Sequence, residues 1–149
     1  MPRAAALHLA RTDERVFAPI RPPGHHACRN MVGRASYLNH TALAAATLAK
    51  DGARVAVLDI NAHHGNGTED IFWQSASVLT VSIHADPAHD YPYFSGYADE
   101  IGNSAGEGFN LNLSLESGSA WANYSGALQA AITSTARRWL SSKAAMTDW

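Results

Sequence analysis

The chain has 149 residues, 46% of them hydrophobic and only 16% charged, a balance that fits one folded domain, 1–149, and excludes intrinsic disorder. Eleven Lys and Arg against thirteen Asp and Glu leave a formal charge of −2, so no basic field points to nucleic acid or an anionic membrane. The single cysteine, Cys28, rules out a disulfide framework and favours a reducing compartment, with the cytoplasm as the expected location.

In chain order, residues 2–11 are rich in Ala and Leu and predict a helix that ends near 12–14. His8 interrupts this apolar stretch, which is too short for a secretory core or a membrane span. Val16-Phe17-Ala18-Pro19-Ile20 reads as a short strand stopping before Pro22-Pro23. Residues 39–50 carry Leu43, Ala44, Ala46, Thr47 and Leu48 at helical spacing, closed by the turn pair Asp51-Gly52. Residues 54–59 form an apolar run ending in Asp59, and 78–84 a second one; both predict strands buried on two faces. A short helix is expected over 67–73, a long functional or disordered loop over 85–108, and an alternating strand over 109–113. Residues 119–140 predict a long helix with Trp121, Tyr124, Leu128, Ala131 and Ile132 on one side. Strands alternating with helices imply an α/β fold with a mostly parallel sheet, whose ligand site lies beyond the carboxyl ends of the strands.

The eight histidines concentrate at those predicted ends. In Arg21-Pro22-Pro23-Gly24-His25-His26 a stiff Pro-Pro-Gly segment delivers two adjacent imidazoles, groups suited to proton transfer near neutral pH; a loop with two solvated histidines is the plainer alternative. In Asp59-Ile60-Asn61-Ala62-His63 an extended chain would point positions 59, 61 and 63 to one side. An imidazole beside oxygen donors suits catalytic zinc, although the Asn61 amide is a poorer ligand than a carboxylate. The alternative there is an Asp/Asn turn introducing the next helix. In Ser82-Ile83-His84-Ala85-Asp86, Ser82 joins Asp59 as a candidate oxygen ligand for a hard cation, or simply caps a strand.

The segments RPPGHHA (21–27), SYLN (36–39), LDINAHHGNGT (58–68), TVSIHADP (80–87) and GEGFNLNL (106–113) together resemble the histone deacetylase and acetylpolyamine amidohydrolase superfamily, in its bacterial, class II-like branch. The resemblance implies a three-layer α/β/α sandwich and zinc-dependent removal of acetyl groups from acetylated lysine or polyamines. By position, His25 and His26 match the catalytic pair, His63 a zinc ligand, and Asn61 the place of the family's first zinc-binding aspartate. Asp59 and Ser82, with the carbonyls of Asn61, His63 and Ile83, match a potassium or sodium site. A second such site would use carbonyls at Phe72, Val78 and Phe109, with Ser75 helping. Arg34 and Ala35 replace a glycine and an aromatic of the acyl tunnel, and Tyr91 and Phe94 complete the candidate substrate pocket.

The resemblance also implies that the family's N-terminal part, its second zinc-binding aspartate and its catalytic tyrosine lie outside this chain. The expectation is therefore a truncated domain with a degenerate zinc site, weak or inactive as a hydrolase on its own. The alternative is a non-catalytic remnant serving as an oligomeric scaffold or binding module. Acetylated amines or peptides are the expected substrates, and a symmetric homo-oligomer the expected assembly.

Overall fold

The computed structural model describes residues 2–12, 15–50 and 52–144. Its elements run α1 (Pro2–Thr12), α2 (His40–Ala49), β1 (Val55–Asp59), α3 (Asn66–Phe72), β2 (Val78–Ala85), β3 (Asn110–Leu115) and α4 (Trp121–Ala144), with one short 3-10 turn, Ser104–Gly106, in the long loop before β3. The expected turn at Asp51 and the helix end at Asp13 and Glu14 lie outside the described residues.

The three strands are all parallel in the order β1-β2-β3, so each connection is a crossover carrying a helix or a long loop. Successive β2 side chains alternate between the two faces of the sheet. Leu79, Val81 and Ile83 meet Ala131 of α4, with Tyr124, Ala127 and Leu128 packed against them. On the opposite face Val57 and Val78 pack with Ala42 and Ala45 of α2 and Phe72 of α3. Helices thus cover both faces, which makes the α/β/α sandwich.

Three sequence expectations are corrected. Residues 16–20 form no strand; they run as irregular chain with Phe17 89% exposed. Val16, Ala18 and Ile20 instead border an apolar cavity lined also by Ala5 and Ala6 of α1 and by Ala44 and Leu48 of α2, with Val16 and Ala18 left exposed, and among the described residues no strand pairs with this segment. β1 is buried on one face only: Val57 is buried while Leu58 is 45% exposed. The reason is tertiary, because α4 packs on β2 and β3 and leaves that face of the edge strand open. On α4, Tyr124, Leu128 and Ala131 face the sheet as expected, but Trp121 is 73% exposed and Ile132 is also exposed.

Candidate active site

The His25-His26 pair sits on an irregular segment fixed by hydrogen bonds from several elements. Gly24 has φ +93°, and a Cβ there would lie 2.6 Å from the Leu38 carbonyl oxygen, so only glycine fits the turn without strain. The Gly24 N–H donates to Ser36 Oγ at 3.0 Å. Asn39 caps α2 by accepting from the Ala42 N–H, and its Nδ2 donates to the Ala27 carbonyl and to Thr68 Oγ1. The first N–H groups of α3, at Gly67 and Thr68, both point at the His25 carbonyl, 2.9 and 3.2 Å away, as orphan helix donors require. A Cβ at position 67 would fall 2.4 Å from the Ala27 carbonyl oxygen. The Gly-Asn-Gly motif therefore lets α3 close onto the paired histidines.

Each imidazole has its own support. His25 Nδ1 lies 2.7 Å from Asp59 Oδ2, while Asp59 Oδ1 accepts the Asn61 N–H at 3.0 Å. Burial raises the Asp59 carboxyl, but the bond and charge of His25 and the Asn61 N–H outweigh it and leave Asp59 below its ordinary value. His26 Nδ1 donates to Asn66 Oδ1 at 2.8 Å. Burial lowers His26 to about 4, against only partial compensation from Asn66. With Nδ1 as donor, the neutral His26 ring presents Nε2 as a free base. The two rings lie 4.0 Å apart, and Tyr91 meets His26 edge-on at 4.8 Å.

The metal-type residues are arranged differently. Asn61 does not extend beside His63: its Oδ1 accepts the His63 N–H at 2.9 Å, the Asp/Asn turn that the sequence left open as an alternative. Arg34 Nη1 donates to His63 Nε2 at 3.0 Å, and its guanidinium lies 5.3 Å over the Tyr91 ring. Asp90 Oδ1 is 3.6 Å from the same His63 nitrogen. Among the described residues no group of three His, Cys, Asp or Glu side chains converges as a metal site. One imidazole already bonded to a guanidinium and one neutral amide already bonded to backbone do not fit a zinc ion's need for free, anionic or imidazole donors.

Ala35 is exposed beside Arg34 in a tight turn with a Gly33–Ser36 bridge. Phe94 is 62% exposed and lines a separate cavity with Cys28, Trp73 and Glu100 rather than meeting the histidines. Ser82 is in register with Asp59 across β1 and β2, and both border a cavity of about 10 Å³, room for one small occupant. The Ser82 hydroxyl also bonds His84 Nδ1 at 2.8 Å. At the second candidate cation site, the Phe72 carbonyl accepts from Ser75 N–H and the Phe109 carbonyl from Thr80 N–H.

A buried polar cluster beneath the site was not singled out from the sequence. Glu69 of α3 accepts from Asn110 Nδ2 at 2.5 Å, Asn112 Nδ2 at 2.9 Å and Ser95 Oγ at 3.0 Å, with His64 Nε2 at 3.3 Å. Burial raises this carboxyl, but His64 and the two asparagines more than offset it and keep it ionised. The signal was present as Asn110-Leu111-Asn112, two amides on one face of a strand, but its partner lies 41 and 43 residues away.

The comparisons agree with this architecture. The family model described as "Histone deacetylase domain" matches residues 3–142. The chain belongs to the histone deacetylase family. Among relatives, it is 54% identical over 125 residues to acetylpolyamine amidohydrolase 2 of Pseudomonas aeruginosa, covering 83% of this chain and 36% of that protein. It is 41% identical over 121 residues to the acetylpolyamine amidohydrolase of Mycoplana ramosa, covering 80% of this chain and 36% of the relative. The crystal structure of the acetylpolyamine aminohydrolase from Burkholderia pseudomallei superposes with a TM-score of 0.83 at 41% identity, over 91% of this chain and 41% of that one. These place the chain in the bacterial branch of the superfamily, and it spans about a third of the length of the curated relatives it matches.

Proposed function

We propose that this chain carries the site of an amidohydrolase that removes acetyl groups from acetylated lysine or polyamines, and that its own residues hydrolyse them weakly or not at all. The relatives named for acetylpolyamine hydrolysis support the substrate class. Hydrolysis adds water across the amide C–N bond and releases acetate and a free amine. In this reading His26 Nε2 takes the proton of the attacking water and His25, backed by Asp59, returns one to the leaving nitrogen; the bonds of His26 to Asn66 and of His25 to Asp59 support these roles. In the family zinc supplies carbonyl polarisation and water activation. The observation that carries weak catalysis is the commitment of Asn61 Oδ1 to the His63 N–H and of His63 Nε2 to Arg34.

With acetylated lysine peptide or acetylated polyamine as substrate, turnover should equal that of the His25→Ala, His26→Ala double variant. Turnover that the double variant abolishes overturns the reading. Protein purified without added metal should hold no stoichiometric zinc, whereas Asn61→Asp should bind zinc more tightly than the parent. Near one zinc per chain, lost in His63→Ala, is the contrary result.

We further propose that Asp59 and Ser82 hold a potassium or sodium ion in the small cavity they border. Such an ion should raise the thermal midpoint, since it binds the folded state alone. The dependence should vanish in Asp59→Ala and weaken in Ser82→Ala; an unchanged midpoint in both variants removes the site. A second reading, an oligomeric binding module, draws on the open face of β1, where Leu58 and Ile60 are exposed.

A further inference from the structure

We propose that Arg34 is a built-in metal-excluding residue, which locks the His63 imidazole into a tautomer with no lone pair left for a metal. This rests on the reading of the site as a deacetylase-type centre and adds what governs its cation preference.

A guanidinium can only donate hydrogen bonds. At 3.0 Å from Arg34 Nη1, His63 Nε2 must therefore accept, and its lone pair is used. A neutral imidazole with an accepting Nε2 carries its proton on Nδ1. Neither ring nitrogen then offers an electron pair to a metal ion, whichever nitrogen a metal would choose. Asp90 Oδ1, at 3.6 Å from Nε2, is too far to hold the opposite tautomer against this bond. The second ligand position reinforces the arrangement, because Asn61 Oδ1 faces the His63 backbone N–H. A divalent ion entering here would also meet the permanent charge of the guanidinium at short range.

The arm is pre-set rather than incidental. Arg34 and Ala35 both have positive φ, 35° and 60°, in the turn closed by the reciprocal Gly33 and Ser36 hydrogen bonds. Ser36 is 1% exposed and anchors Gly24, next to His25. The Tyr91 ring, stacked edge-on to His26, carries the guanidinium on its face. Arg34 therefore stands between the paired histidines' own support and the third imidazole, and its reach is fixed at both ends.

Two variants separate this role from folding. Arg34→Gly suits the left-handed backbone and removes the donor; Arg34→Lys keeps a cationic donor. Long-range ¹H–¹⁵N correlation spectra should show Nδ1-protonated His63 in the parent and a shift toward Nε2–H in Arg34→Gly. Zinc and cobalt affinity, measured by calorimetry, should rise at least tenfold in Arg34→Gly and stay near the parent in Arg34→Lys. Adding Asn61→Asp to Arg34→Gly should raise it further. An Nε2–H tautomer in the parent, or equal metal affinity for parent and Arg34→Gly, overturns the proposal. Either result removes the Arg34 part of the argument for weak catalysis but leaves the amidohydrolase reading to its own test, which depends on His25 and His26.

Discussion

His25 and His26 are neighbours in the chain, yet a carboxylate supports one and an amide the other. That difference in surroundings is what the proposed division into acid and base draws on, since pairs of titratable groups with unlike surroundings can take the two roles. His26, lowered to about 4 by burial, also links stability to pH. Its unfolded form, near 6.5, binds more protons than its folded form between those two values, so folding stability rises with pH across that window. This contribution is complete above about pH 6.5 and is lost as pH falls toward 4, about 3 kcal/mol in all. Urea unfolding should show this loss in the parent and a shallower one in His26→Asn, whose amide can still donate to Asn66. An identical pH slope in both proteins would contradict the assignment. Asp59 works with the opposite ionisation but the same sign: its lowered carboxyl stabilises above its unfolded pKa and loses that contribution as pH falls through its folded value.

At the scale of elements, α3 does most to assemble the site. Its first N–H groups hold the His25 carbonyl, Asn66 holds His26, and Glu69 ties the helix to β3 through Asn110 and Asn112. Replacing Glu69 by Gln removes the charge and turns one of the two acceptor oxygens into an NH2, which must face either the asparagine amides or Ser95. A buried charge with several bonds is costly to disturb, so Glu69→Gln should lose about 2–4 kcal/mol of stability. Denaturant titration checks this, and a loss under ~0.5 kcal/mol would show that the cluster is not held by charge. The Gly24→Ala variant should lose about 1–3 kcal/mol because its φ and the Leu38 carbonyl both oppose a Cβ. The motifs themselves were legible at this scale: Gly-Asn-Gly, Ser-Tyr-Leu-Asn and Pro-Pro-Gly each place a small or capping residue where a backbone contact demands it.

For the molecule as a whole, the sheet is covered unevenly. α4 packs on β2 and β3, while one face of β1 exposes Leu58, followed in the chain by the exposed Ile60. Open strand edges and apolar surface favour pairing with another chain, and a net charge of −2 opposes it little. We propose on this basis a symmetric homodimer with an apolar interface. Light scattering on a size-exclusion column should give twice the chain mass; one chain mass across a wide concentration range would refute it. Among the described residues no helix is long and apolar enough to cross a membrane.

Local chemistry alone pointed to the α/β alternation, the parallel strands expected at 54–59, 78–84 and 109–113, the helices expected over 39–50 and 119–140, and the paired histidines. Each of these follows from periodicity, caps or motif residues within a few positions of one another. Only the tertiary structure decided that residues 16–20 stay outside the sheet, and that β1 is an edge. Burial on a face depends on what packs over it, which no strand encodes by itself. Tertiary structure likewise brought Glu69 to two asparagines more than forty residues away. It also set Arg34 against His63, turning a substitution in a predicted tunnel into a bond at a predicted metal ligand. A side chain's local sequence limits which contacts it can make; the partner that actually uses its lone pair is chosen by the packing of distant segments.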